Sequence, residues 1–414
     1  MFQVINFLNK YMLKKILFYF LSFDQIKFFF INFFKRLSSF SDRFLNKFDK
    51  KDITELNNNL DILKIKILTI DFMQSLRVQS KDKIIGYKHS ESCKKTNLYA
   101  LISVLLIKHL FKIETNVQEE LLLLKKNQSE DGLFRDENIE CTEADRSDDW
   151  GWKHLTLHAL MTLDLYSVKS KYPVKLGLDL NPENIEIKLN EYNWREKLPW
   201  TSNAVQNLCV FLQYNRKYHN QINSTEILKK VENFINSKQS ETTGLFSEKF
   251  NTFQELSDSV QSAYHFWLIY FSEGFDIKYK EQIIDNVLKT QNLIGGFGYK
   301  LNSSACEDID SIDILLRLSK QTSYRKEDII KCLNRSVGAI LNNLNNDGGW
   351  VFRRNESLKI VHQEMFSYKN QSNMFYTWFR ILGLCYASHY LKDKKFEFNW
   401  NLLDKKIGHQ FKCW

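Results

Sequence analysis

From about residue 55 onward, apolar positions recur at helical spacing, and almost no segment alternates apolar and polar residues as a half-buried strand would. The predicted helices are of two kinds. One is amphipathic, with charged residues along one face: residues 55–76, 116–127, 183–192, 224–237, 279–291 and 326–343. The other is apolar nearly all round: 98–111, 152–165, 200–214, 261–271, 309–319 and 374–391. A helix apolar on every side must be buried on every side, whereas a one-faced helix can leave the other face in water. Strict alternation of the two kinds predicts about six inner and six outer helices. Pro182 and Pro199 stand where two of these segments open, in a first turn, where a missing amide proton costs nothing.

Turns keep the same beat. Gly132, Gly244, Gly295 and Gly348, each followed by an aromatic residue within two positions, are 112, 51 and 53 residues apart, the first interval being two periods. Repeats of about 50 residues, each too small to bury its own face, must stack on their neighbours. Inner and outer helices in alternation close such a stack into a ring, an all-α fold of the α/α toroid type with a central cavity at the inner-helix ends. The segments QSEDGLF (128–134), QSETTGLF (239–246), QNLIGGFG (291–298) and NNDGGW (345–350) resemble the Gln…Gly-x-Trp/Phe repeats of the terpenoid cyclase and protein prenyltransferase superfamily, squalene-hopene-cyclase-like toroids included. The resemblance covers residues 60–395 and implies the toroid more than any one activity. Two repeats depart from it: Gly244 follows its Gln by five residues instead of four, and Asn345 replaces the last Gln.

The densest chemistry lies at Cys306-Glu307-Asp308-Ile309-Asp310-Ser311-Ile312-Asp313. On a helix Glu307, Asp310 and Asp313 share a face and Asp308 lies beside them. Crowded carboxylates cannot all ionise cheaply, so one tends to keep its proton, as a general acid requires. Acidic residues in a first turn also cap free amides and complement the helix dipole, the plain alternative. Asp308-Ile309-Asp310-Ser311 resembles the DxDD motif of class II terpenoid cyclases, which implies Asp310 as the proton donor with Glu307, Asp308 and Asp313 tuning it. Ser311 stands where that motif has its last Asp, and Asp313 is the candidate substitute.

Other helix heads aim polar groups at the same mouth. Asp149, Trp150, His154 and His158 open one inner helix; Asp258 and His265 sit in the next but one; His362, Asn373 and Trp378 surround the head of the last. The pair His154 and His158, four apart, suits a metal or a proton relay, and equally a helix core. Protein prenyltransferases hold a catalytic zinc with Asp, Cys and His at successive inner-helix heads. Cys306, Asp308 and His362 have that residue content, with Asp and Cys in reversed order. No metal or other cofactor is otherwise expected, zinc and magnesium being the two left open. Trp152, Tyr264, Phe266, Trp267, Phe375 and Tyr376 would either line a carbocation-stabilising cavity or fill the core.

Composition adds three bounds. Seven scattered cysteines without a CxxC pair argue against a disulfide scaffold or zinc ribbon, and fit a reducing, cytoplasmic setting. Residues 1–50 hold nine Lys/Arg against three Asp/Glu, thirteen Phe and two Tyr, most of the chain's net +9. Their apolar runs are cut by Asp24, Gln25 and Lys27, short of the roughly 20 residues a spanning helix needs. Such a segment suits a membrane interface or packing on the rest of the protein. No nucleic-acid motif, P-loop, dinucleotide fingerprint or nucleophile elbow is present. The expected organisation is a basic, Phe-rich helical extension (1–54), the toroid (55–400) and a tail (401–414). The expected function is a terpenoid-cyclase-like or prenyltransferase-like enzyme on an isoprenoid or other hydrophobic substrate. The alternatives are a polysaccharide lyase or glycosidase acting on a glycan, and a non-catalytic toroid that only binds.

Overall fold

A computed structural model of the protein describes residues 60–402, apart from residue 82 and residues 137–150, 177–179 and 196–197. The chain divides into two compact units, Met1–Leu60 and Asp61–Trp414, and the described residues belong, Leu60 apart, to the second. The Phe-rich extension and residues 403–414 of the tail lie outside the described residues.

The second unit is an α/α toroid. Twelve helices are present among the described residues: α1 (Ile62–Ser75), α2 (Leu98–Phe111), α3 (Val117–Lys126), α4 (Trp152–Leu165), α5 (Ile185–Asn190), α6 (Leu198–His219), α7 (Ser224–Lys238), α8 (Phe253–Glu273), α9 (Lys280–Lys289), α10 (Ala305–Ser319), α11 (Lys326–Leu341) and α12 (Met374–Leu391). The even-numbered helices form the inner ring: α2 packs on α4, α4 on α6, α6 on α8, α8 on α10, α10 on α12, and α12 returns to α2. The odd-numbered helices lie outside, α3 on α2, α7 on α6, α9 on α10 and α11 on both α10 and α12. Burial follows the sequence pattern. Nearly every residue of α2, α10 and α12 is buried, whereas α9 buries only Ile283, Ile284, Asn286 and Val287.

Caps fix where the inner helices begin. Asn97, Thr252, Ser304 and Asn373 accept from the third amide of α2, α8, α10 and α12 respectively. Ser304 and Glu307 complete a reciprocal capping box, so α10 opens four residues earlier than its apolar run. The same effect at Thr252 adds two polar turns to α8.

The repeat turns clip neighbouring units together. Gln128, Gln239 and Gln291 each donate from the side-chain amide to the carbonyl of their own turn glycine and to a carbonyl of the next unit, at Tyr172, Lys278 and Cys332. Asn345 is shorter and makes only the outward reach, to Asn370 and Ser372. Gly348 has φ +84° and lies so close to the Leu68 carbonyl of α1 that a Cβ would overlap it. That contact, with Thr69 donating to the Gly348 carbonyl at 3.4 Å, joins the last turn to the first helix. A second seam runs beside it, where Met374 donates to the His89 carbonyl at 2.7 Å and Asn97 to that of Glu364 at 2.7 Å. Two short antiparallel hairpins flank the seam, β1 (Arg77–Ser80) with β2 (Lys83–Tyr87) and β3 (Leu358–Lys359) with β4 (Phe366–Ser367). They are too short, and β1 too irregular in register, to leave a period-2 signal.

Candidate functional site

Five of the six inner helices wall a cavity of about 390 Å3. His154, Trp200, Asp258, Cys306 and Phe375, each within the first two turns of α4, α6, α8, α10 and α12, line it, so the helix heads gather at one end. Asn203, Gln206, Gln261, Tyr264, His265 and Tyr376 add polar groups, while Met161, Leu268 and Leu382, farther along their helices, make an apolar floor. Trp200 is 53% exposed and stands at the opening. No Lys or Arg among the described residues lines the cavity.

The acidic cluster at the head of α10 is not one site but four separate environments. Glu307 accepts from Arg353 at 2.8 Å, from Ser257 at 3.3 Å and from the Ser304 amide at 2.8 Å. Asp308 is held by Arg380, by the Ser303 hydroxyl at 2.8 Å and by the Phe297 amide at 2.8 Å. Asp313 makes a two-point pair with Arg317, one turn on, at 2.8 and 3.0 Å. Each of these buried charges is paired and hydrogen-bonded, as burial demands. Asp310 differs. It is 3% exposed, lines the cavity, and has no hydrogen-bond or ion-pair partner among the described residues. Burial first, then the charges of Asp313, Glu307 and Asp308, push its carboxyl well above the usual range. A group so placed holds its proton and faces the space where a ligand would sit.

The imidazoles of the wall are uncharged. Burial, with the neighbouring His265, pushes His158 down to about 3, and burial alone takes His265 to about 4. His154 is lowered as well, by burial and then by His158 and His265. His154 Nδ1 shares a hydrogen bond with the Tyr99 hydroxyl at 2.8 Å, and its Nε2 lies 3.3 Å from His158 Nε2. His265 Nδ1 is 2.9 Å from Ser202 Oγ. Asp258, half-buried, is raised by burial and then by Glu307 and Glu255.

Of the residues expected at the cavity, the structure brings together His154, His158, Asp258, His265, Asp310 and Trp378. Asp149 and Trp150 lie outside the described residues. His362 and Asn373 are absent from the wall: the side chain of His362 is fully buried with Asp136 at 3.7 Å, and Asn373 caps α12. The zinc candidates do not converge. Asp308 is committed to Arg380 and His362 faces Asp136, while burial pushes the Cys306 thiol up and keeps it protonated. No group of three or more His, Cys, Asp or Glu that could hold a metal occurs among the described residues. Of the aromatics, Tyr264, Phe375, Tyr376 and Trp378 face the cavity, whereas Phe266 stacks on Trp194 at 5.7 Å and Trp267 packs on Tyr270. No helix among the described residues is long and apolar enough to cross a membrane.

The pairing of three arginines with the cluster was not anticipated from the sequence, although Arg353 stands out there on a polar loop. Arg317, four residues after Asp313 on one helix, carries a readable signal. Arg353 and Arg380 lie 46 and 72 residues from their partners, and no spacing rule connects them.

No family model matches the chain, and no curated protein matches it. Several solved structures are similar to it, among them these three. A polysaccharide lyase aligns at 11% identity over 80% of this chain and 98% of its own, with a TM-score of 0.44. A protein from Actinoplanes gives 9%, 80%, 100% and 0.42 in the same order. A possible member of the GH105 family from Salmonella enterica serovar Paratyphi A gives 10%, 81%, 96% and 0.40. With TM-scores this low, none of the three decides what the cavity binds.

Proposed function

We propose that this toroid is a general-acid hydrolase of neutral, hydroxyl-rich glycosides, with Asp310 as proton donor. The observation that carries the proposal is the isolation of Asp310, the one carboxylate of its cluster that lines the cavity, without a partner among the described residues. Asp258 is the second carboxylate of the wall. It is only half-buried, so it ionises more readily than Asp310, and two carboxyls pushed apart in this way divide into acid and base. In this reading Asp310 gives its proton to the glycosidic oxygen as the C–O bond breaks, and that fragment leaves as an alcohol. Water adds to the anomeric carbon and yields its proton to Asp258, so the other fragment leaves as a hemiacetal. One water is consumed, and solvent exchange returns the carboxyls to their starting states. The uncharged His158 and His265, with Asn203, Gln206 and Gln261, accept and donate hydrogen bonds to hydroxyls without competing as acids. Trp200 offers a ring face at the entrance.

Two features favour a glycoside over an isoprenoid. Neutral imidazole lone pairs beside a carbocation would capture it or take its proton. With no Lys or Arg among the described residues of its wall, the cavity also leaves a diphosphate, or the carboxylate of a uronate, without a countercharge there. The rings of Phe375, Tyr376, Trp378 and Phe379 support isoprenoid cyclisation as the second reading. Purified protein would be incubated with neutral aryl glycosides and oligosaccharides, and in parallel with linear isoprenoids and their diphosphates. Glycoside products that vanish with Asp310→Asn and with Asp258→Asn are expected. Cyclised isoprenoids that vanish with Asp310→Asn would instead establish the second reading, and glycoside turnover retained in Asp310→Asn would overturn the role of that residue.

A further inference from the structure

Beside the first cavity lies a second, of about 610 Å3, lined by the α7–α8 connection and the segment entering α6. Asp258 and Pro199 belong to the walls of both. The two chambers therefore meet at the carboxylate assigned above to the attacking water, and their chemistry differs on the two sides. The inner chamber is closed on five helices and has no cation among its described residues. The outer one has Trp194, Phe246 and Phe250 for ring faces and two cations, Arg195 and Lys238, alongside Glu248 and Glu255. The two acids already accept hydrogen bonds, Glu248 from Ser240 at 3.0 Å and Glu255 from the Asn251 amide at 2.8 Å.

Resting on the hydrolase reading, we infer that the outer chamber receives the part of the substrate beyond the bond that breaks. The enzyme is then exo-acting: it seats the end of an oligosaccharide in the inner chamber and holds the remaining units outside. Cavities of a few hundred Å3 take ligands of a ring or two, so the inner chamber accommodates a terminal unit or pair and not a chain passing through.

Binding tests this apart from turnover. With Asp310→Asn protein, calorimetric affinity for a ladder of neutral oligosaccharides should rise from one unit to four. Ser247→Trp, which fills the outer chamber, should flatten that rise. An affinity that does not grow with length, or no saccharide binding at all, overturns the inference. In the native enzyme, end-labelled oligosaccharides should lose units from one end only. The ratio of kcat/KM for a tetrasaccharide over that for an aryl monoglycoside should fall about tenfold in Ser247→Trp, the order expected for one spoiled pocket contact. Phe250→Ala, which removes a ring face without adding bulk, should lower the same ratio. Internal cleavage, or an unchanged ratio in both variants, would refute the exo-acting arrangement while leaving the hydrolase reading intact. Absence of any glycoside turnover alongside length-dependent binding would sink the hydrolase reading and keep the two-chamber site.

Discussion

The head of α10 and the heads of α4, α8 and α12 follow one plan and differ in one side chain. At each, the aromatic residue of the Gly turn donates its amide to a side chain on the following inner helix. Phe134 donates to Thr156 at 2.8 Å, Phe246 to Ser259 at 3.4 Å and Trp350 to Thr377 at 2.9 Å, all hydroxyls. Phe297 donates to Asp308. A position that elsewhere carries a neutral latch here carries a buried charge, and Arg380 of the neighbouring helix answers it, with its Nη2 donating to the Ser303 and Phe352 carbonyls at 2.9 Å. The comparison separates architecture from chemistry inside one short motif. Asp308 is the latch of its repeat, Glu307 a cap and Asp313 half of an intrahelical pair; Asp310 has no counterpart in that plan and no partner among the described residues.

Breaking the charged latch should produce the largest effect. Arg380→Met leaves Asp308 buried and unpaired, which should lower the unfolding free energy by about 3–5 kcal/mol in urea titrations. Combining it with Asp308→Thr rebuilds the neutral latch of the other repeats and should recover stability to within about 1 kcal/mol of the native protein. Failure of that rescue would mean the charge at this head serves something other than the latch. Next in size is Gly348→Ala, where a left-handed backbone and a close α1 carbonyl combine; a loss of roughly 2–3 kcal/mol by the same measurement is expected. At the ordinary heads, Thr156→Val removes only an acceptor and should cost about 1–2 kcal/mol.

Acid offers a gentler probe of the cavity side of the comparison. His158, His265 and His89, held near 3, 4 and 3 by burial, bind protons in the unfolded chain below pH 6.5 but refuse them when folded. Their contribution is complete above pH 6.5 and is lost as pH falls toward 4, by at most about 1.4 kcal/mol per unit for each group. Asp310, shifted upward, acts in the opposite sense and favours the folded state at the lower pH. Urea titrations at pH 7 and pH 5 should therefore show stability at pH 5 falling further below that at pH 7 in Asp310→Asn than in the native protein, because one opposing group is gone.

Much of the architecture could be read from the chain because its signals are local. Alternating apolar and amphipathic helices and Gly turns near a constant period fix the twelve helices, most to within a few residues. The latch was not readable, although every repeat has one. Its partners are separated by 22, 13, 11 and 27 residues in the four repeats, because the loops between turn and helix differ in length. A crowd of carboxylates was visible at 307–313; which of them is spoken for depends on arginines brought in by ring closure. His362 and Asn373 look like site residues for a related reason, since a helix head at the seam also needs polar groups to satisfy its amides.

The most direct test is a titration of the Asp310 carboxyl itself, by 13C NMR of aspartate-labelled protein, with Asp310→Asn identifying its resonance. Its midpoint should lie well above the usual 3.8. A midpoint at or below the usual value would leave no proton to donate, and would contradict the claim that this carboxyl is the acid of the site.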